Sequence, residues 1–223
     1  MRITVWDLPL RLFHWLLVLC VAGALITMQL GTLWMDWHGR FGLAVVGLIT
    51  FRLAWGLVGS THSRFINFLP TPRTINSYLR GHWEGIGHNP LGALSAYGLL
   101  ALFGFQAVSG LFATDEIAFS GPLARAVSSG TSNTLSSWHR QTELWLYLLI
   151  GLHILAILFY RLRGQNLVGP MVHGKLEVEA TAEQPRGGGV VAFVIAVSIA
   201  AAVVWAANGS WIPVPPPAAA PAW

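Results

Sequence analysis

Five runs of apolar residues, Leu12 to Leu30, Phe41 to Val58, Leu91 to Ala113, Leu144 to Tyr160 and Val190 to Ala207, constrain this chain more than any other feature. Each approaches the roughly 20 residues a helix needs to cross about 30 Å of hydrocarbon. A 223-residue chain that is 54% apolar and 10% charged does not suit an ordinary soluble domain. The expected fold is an all-α integral membrane protein.

Charge placement gives an orientation. With the N-terminus cytoplasmic, one side collects Arg2, Arg11, Arg64, Arg73, Arg80, Arg161, Arg163, Lys175 and Arg186, against Arg40, Arg125 and Arg140 opposite. The positive-inside rule favours that arrangement and, with five spans, an outer C-terminus. The same asymmetry accounts for the net charge of +4, so no nucleic-acid partner is expected. Arg2 and Arg11 precede the first span but no small-residue cleavage site follows it, so it reads as retained. Cys20, the single cysteine, excludes an internal disulfide, a cysteine-rich cage and covalent haem attachment through C-x-x-C-H.

Between spans, Ser60 to Pro90 carries cations and prolines and predicts a short interfacial helix around Thr74 to Arg80. "EVEATAEQPRGGG" reads as a flexible linker and "WIPVPPPAAAPAW" as an extended tail. Gly92, Gly98, Gly104 and Gly110 recur every six residues, which scatters them around the third span. Helix packing explains them better than approach to a flat cofactor. Trp6, Trp34, Trp37, Trp55, Trp83, Trp138 and Trp211 lie near span ends and read as an aromatic belt.

The eight histidines divide by depth. His62, His82, His88 and His173 fall in loops, where a solvated surface imidazole is the default. His14, His38, His139 and His153 lie in or at the ends of spans, where an ionisable group is costly and faces the bundle interior. On one straight helix, the fourteen residues from His139 to His153 span about 21 Å and return to within roughly 40° of the same face. Antiparallel spans then put His14 level with His153 on the inner side, and His38 level with His139 on the outer side.

Two imidazoles on opposite helices at one depth match the axial ligation of a planar iron macrocycle in a helix bundle. Two such pairs imply two haems b, the four histidines being the metal ligands. Zinc would need further ligands at each level. Arg52, fourteen residues after His38, reaches the inner level on a similar face and suits a haem propionate, or else snorkels to the inner surface. Arg11 and Arg140 are weaker candidates for that role. A His-relay proton or metal-ion transporter is the competitor from another class, but Asp115, Glu116 and Glu143 lie at edges or loops rather than inside spans.

The stretches "VWDLPLRLFHW", "WHGRFGLAVVGLITFRLAWGLVGS", "GHNPLGALSAYGLLALFGFQAVSGLFATDEIAFSGPLA" and "SWHRQTELWLYLLIGLHILAILFYRLRGQNLVGPMVHGK" resemble the bacterial cytochrome b561 family, including the b-type subunits of nickel–iron hydrogenases. The resemblance covers about Arg2 to Lys175. It implies a four-helix transmembrane bundle holding two haems b in the bacterial inner membrane, with ligands at His14, His38, His139 and His153. It also implies electron transfer between the quinone pool and a redox partner, such as a periplasmic c-type cytochrome or oxidoreductase. Membership as the membrane anchor of a hydrogenase or dehydrogenase complex is the nearest alternative. Nothing in the spacing singles out a quinone site, although His88, Asn89 or Gln141 could line one. The expected organisation is a di-haem domain over 1–175, a linker over 176–189, a fifth transmembrane helix over 190–207, which the short family members lack, and a proline- and alanine-rich tail over 208–223.

Overall fold

A computed structural model describes residues 1–177 and 185–213. Strand β1 (Arg2–Thr4) leads into helices α1 (Leu8–Gln29), α2 (Met35–Val58), α3 (Pro72–Leu79), α4 (Pro90–Phe112), α5 (Ser129–Gln141), α6 (Glu143–Leu162) and α7 (Val168–His173). Strand β2 (Lys175–Glu177) and helix α8 (Gly189–Ala207) follow. Among the described residues five helical stretches are long and apolar enough to cross a membrane, the fourth being α5 and α6 together over Ser129–Leu162. Apart from one small strand pair, the protein is an all-α integral membrane protein, the architecture in which lipid-facing segments satisfy their own backbone groups.

The helices begin where side chains can satisfy their free N–H groups. Asp7 caps α1 by accepting from Leu10 N at 2.7 Å, and Asn89 caps α4 by accepting from Gly92 N at 2.7 Å. Each cap is followed within two residues by a proline already set for a first helical turn. Thr71 and Thr74 form a reciprocal capping box on α3, the short helix expected between the second and third spans.

α2 is the central helix. It packs on α1, α4 and α8, and its Val45, Val46, Ile49, Phe51 and Trp55 join Phe13 and Leu17 of α1, Ala107 and Leu111 of α4 and Ala196 of α8 in one core. The fifth span is part of that core: a Cβ on Gly47 would stand 2.7 Å from Val204 of α8. α6 rests chiefly on α4, and its Leu144, Leu148, Leu152 and Leu155 are each more than half exposed, as side chains facing lipid are. The glycines of α4 serve packing in the main. A Cβ on Gly104 would touch Ile49 of α2 at 3.7 Å and one on Gly98 would touch Leu149 of α6 at 4.0 Å.

Two span boundaries differ from the hydropathy reading. α2 starts at Met35 rather than Phe41, because nothing in the polar stretch around His38 breaks a helix. The fourth span gains α5, which its polar composition hides. Ser132 Oγ donates to Phe112 O at 2.6 Å and Ser136 Oγ accepts from Thr114 N at 2.8 Å, so the small serines dock α5 on the end of α4. Between α5 and α6 the helix is interrupted at Thr142, whose hydroxyl donates back to Trp138 O at 2.7 Å. Such back-bonding bends helices, so the straight-rod spacing of His139 and His153 is only approximate.

The expected linker is anchored at both ends. Leu176 and Glu177 belong to β2, which pairs antiparallel with β1 in the register Ile3 to Leu176, with Arg2 and Glu177 in a surface ion pair at 2.8 Å. Thr61 N donates to Arg186 O at 2.9 Å on the other side. The rest of the linker, 178–184, and the tail beyond residue 213 lie outside the described residues. β1 marks what we term the proximal end of the bundle. The connection between α1 and α2 marks the distal end.

Candidate functional site

At the distal end His38 of α2 faces His139 of α5. Their ring centroids are 6.1 Å apart and their planes are nearly perpendicular, at 86°. His38 Nδ1 lies 2.9 Å from Ala24 O of α1, and His139 Nδ1 lies 3.0 Å from Gln106 O of α4. A carbonyl only accepts, so both Nδ1 atoms carry the proton and both Nε2 atoms keep a lone pair. Ser109 Oγ, 1% exposed with its residue, adds a contact to His139 Nδ1 at 3.2 Å. Gly110 makes room for the ring, since a Cβ there would stand 3.0 Å from His139 Cε1. Backbone hydrogen bonds of this kind are how metal-binding imidazoles are aimed.

The proximal end is built differently. His14 of α1 and His153 of α6 interact electrostatically, although α1 and α6 are not among the principal packing pairs. Among the described residues His14 Nδ1 is buried without a hydrogen-bond partner. At the same end of the bundle, Asp7 ties the helix ends together: its carboxylate accepts from Trp55 Nε1 at 3.0 Å, from Ser63 Oγ at 2.7 Å and from Ser60 Oγ. Arg52, only 3% exposed, donates to Ser63 O at 3.0 Å and lies 4.4 Å from the Phe65 ring centroid. It does not snorkel to the surface.

Several loop residues expected at the surface also belong to this end. His88 is wedged between Trp6 and Phe68, each 4.6 Å away by ring centroid. Burial pushes its imidazole down to about 3, helped by Arg52, His62, His153 and His14. His62 is half-buried and lowered by burial as well. His82 and His173 are exposed. Trp6 and Trp55 are buried at 8% and 2%, so they leave the expected belt, whereas Trp34, Trp37, Trp138 and Trp211 are exposed. Arg11 reaches Val172 O, which joins α1 to α7, and Arg140 is exposed on α5. Nearby, Asn89 Nδ2 donates to Tyr160 Oη at 3.0 Å. Tyr78 also bonds Tyr160, and burial together with that bond raises its hydroxyl to about 12.

Sequence reasoning missed Asp7 and Ser109, and it placed His88 at the surface, where the structure has it wedged between Trp6 and Phe68. Asp7 was legible as the cap in "DLP" before an apolar run, and Trp6 and His88 each occupy the position just before a helix cap, where side chains fold back under the first turn. Ser109 carries no pattern of its own.

Among the described residues no three His, Cys, Asp or Glu side chains gather into a metal cage. The donors come as a pair instead, which suits a metal whose other positions are filled by a macrocycle. Two imidazoles gripping one metal through Nε2 at about 2 Å each have ring centroids roughly 6 Å apart. The His38–His139 separation of 6.1 Å meets that requirement. The unpartnered Nδ1 of His14 marks the proximal pair as a buried polar site that still has bonds to make.

Comparison with known proteins agrees with this chemistry. Residues 5–174 match the family model described as prokaryotic cytochrome b561. The chain is 24% identical over 215 residues to the probable Ni/Fe-hydrogenase 1 B-type cytochrome subunit of Escherichia coli (strain K12), covering 76% of this chain and 88% of that protein. It is 25% identical over 209 residues to the probable Ni/Fe-hydrogenase B-type cytochrome subunit of Azotobacter chroococcum mcd 1, covering 76% and 86%. The corresponding subunit of Azotobacter vinelandii is 26% identical over 213 residues, with the same shares. No solved structure matches the chain significantly. The chain belongs to the prokaryotic cytochrome b561 family and is a multi-pass membrane electron-transfer cytochrome of the haem b type.

Proposed function

We propose that the protein is a di-haem cytochrome that carries electrons through the bacterial inner membrane between the quinone pool and a redox partner. His38 and His139 hold one haem b near the periplasmic side, and His14 and His153 hold the other near the cytoplasmic side. The N-terminus is cytoplasmic and the C-terminus periplasmic, in keeping with the excess of cations on the proximal side. The observation that carries the reading is the facing of His38 and His139 at 6.1 Å, each with its Nδ1 engaged by a backbone carbonyl.

A haem held between two histidines would supply one-electron exchange, without an open site for oxygen chemistry. The chain's part is to aim the ligands and enclose them. The carbonyls of Ala24 and Gln106 fix the distal imidazole tautomers. At the proximal end Arg52 supplies a buried guanidinium within electrostatic range of His88, as His14 and His153 are, and suits a haem propionate. The organisation follows: a di-haem domain over 1–175, with α8 packed on it through α2.

The test is vectorial electron transfer. Vesicles holding the purified protein and trapped ferricyanide, given quinol from outside, reduce the ferricyanide at a rate that falls with loss of either histidine pair. No reduction above that of protein-free vesicles contradicts the proposal.

A second reading is favoured by the names of the relatives: the chain serves as the membrane subunit of a hydrogenase and passes electrons from that partner to quinone. Co-purification of a metal-centre protein with the tagged chain from its native membrane supports this assignment. Quinol oxidation by the isolated chain without such a partner supports the self-contained form.

A further inference from the structure

Among the described residues the proximal end holds a buried guanidinium with no carboxylate at ion-pair distance. Arg52 is 3% exposed, yet the one ion pair among the described residues is the surface pair of Arg2 and Glu177. Asp7 acts on Arg52 at a distance, through Ser63. Its oxygens are already occupied by Leu10 N, Trp55 Nε1, Ser60 Oγ and Ser63 Oγ, and its charge also faces the positive end of the α1 dipole. A guanidinium taken out of water without an anion in contact costs several kcal/mol, on the order of the penalty for any uncompensated buried ion.

Beside that charge stands a second unsatisfied group. His88 Nδ1 is buried and has no hydrogen-bond partner among the described residues. The ring is crowded by Trp6 and Phe68, and the residue as a whole is half-buried rather than sealed in the core. Phe68 is a shared wall: His88 stacks on it at 4.6 Å, and Arg52 lies 5.9 Å from its centroid. His62 closes the cluster, its Nδ1 lying 3.6 Å from where a Cβ on Gly87 would be. His14 and His153 are both within electrostatic range of His88. A carboxylate meets both demands, accepting from the imidazole in its Nδ1–H tautomer and pairing with a guanidinium.

We propose that His88 and Arg52 form a two-point carboxylate site, and that its occupant is a propionate of the proximal haem. His88 is thus a cofactor-anchoring residue, which no motif marks. The inference rests on the di-haem reading above. An anionic lipid phosphate reaching in from the proximal surface presents similar chemistry, and the test separates the two.

Apoprotein carrying His38→Ala, which leaves only the proximal site, is titrated in detergent with iron protoporphyrin IX and with its dimethyl ester, which has no free carboxylate. The parent binds the acid about tenfold more tightly than the ester, the scale of one hydrogen bond to a charged group. His88→Ala and Arg52→Gln each weaken binding of the acid and leave that of the ester unchanged. His88→Gln, which keeps an N–H donor, retains part of the preference and guards against a packing artefact. Equal affinity of the parent for both porphyrins overturns the site, as does an equal loss of both in the variants. A preference that disappears on adding phosphatidylglycerol assigns the cluster to a lipid headgroup and overturns the propionate. A parent that takes up neither porphyrin sinks the di-haem reading itself, and this inference with it.

Discussion

The two ends of the bundle present the same pair of imidazoles in opposite ways. At the distal end the helices do the aiming: Ala24 O and Gln106 O hold His38 and His139 by their Nδ1 protons, and the rings already stand at a ligating separation. At the proximal end His14 Nδ1 has no partner, and order comes from the surroundings, namely the Asp7 knot, the buried Arg52 and the wedged His88. The distal site is preorganised by its backbone, whereas the proximal site depends on polar groups that a bound anion would complete. On the di-haem reading proposed above, the two haems should therefore respond to different mutations.

The largest effect expected is at Asp7. Asp7→Ala removes the acceptor for Leu10 N, Trp55 Nε1, Ser60 Oγ and Ser63 Oγ and should cost about 3 kcal/mol. In thermal melts followed at the Soret band, the proximal haem is then lost first while the distal one is kept. Simultaneous loss of both would show that the ends are not independent.

Gly110→Ala sharpens the comparison from the other side. Its Cβ would stand 3.0 Å from His139 Cε1, and the ring cannot retreat without breaking its bond to Gln106 O. Distal haem affinity should fall by about 10- to 100-fold, the usual cost of disturbing a ligand's supporting contacts, with the proximal haem unaffected in the same titration. Ser109→Ala is milder, because the carbonyl of Gln106 still holds the imidazole. It should move the midpoint potential of the distal haem alone in a redox titration, and Ser109→Thr should restore it.

The smallest effect is on pH. Burial lowers His88 from 6.5 to about 3 in the fold, so below about pH 6.5 the unfolded chain binds a proton that the folded one does not. The stability this group contributes is full above 6.5 and is lost as pH falls toward 3. Haem-free protein should lose about 1 kcal/mol between pH 7.5 and 5.5 from this group. His88→Gln should flatten that slope in denaturant unfolding, and an unchanged slope would place His88 in contact with water.

Much of this was legible in the residues because lipid simplifies the code. Spans follow from hydropathy, and an imidazole inside a span points inward because the alternative is hydrocarbon. That logic put His38 level with His139, and the two rings stand 6.1 Å apart. It failed where polarity no longer implies exposure. α5 is polar yet helical because its serines bond the end of α4. His88 is a loop residue that packs under the start of α4 against Trp6. Trp55 resembled a belt residue, but its indole is used by Asp7. These contacts join residues 20 or more positions apart, and a local pattern does not encode such partners.

Haem stoichiometry tests the central claim most directly. Purified chain, fully supplied with haem, is counted by pyridine haemochrome together with a dithionite-reduced minus oxidised spectrum. The account predicts about two haems b per chain, and about one when any single member of His14, His38, His139 or His153 is replaced by alanine. A folded protein that holds no haem, or one whose count is indifferent to the His38–His139 pair, contradicts it.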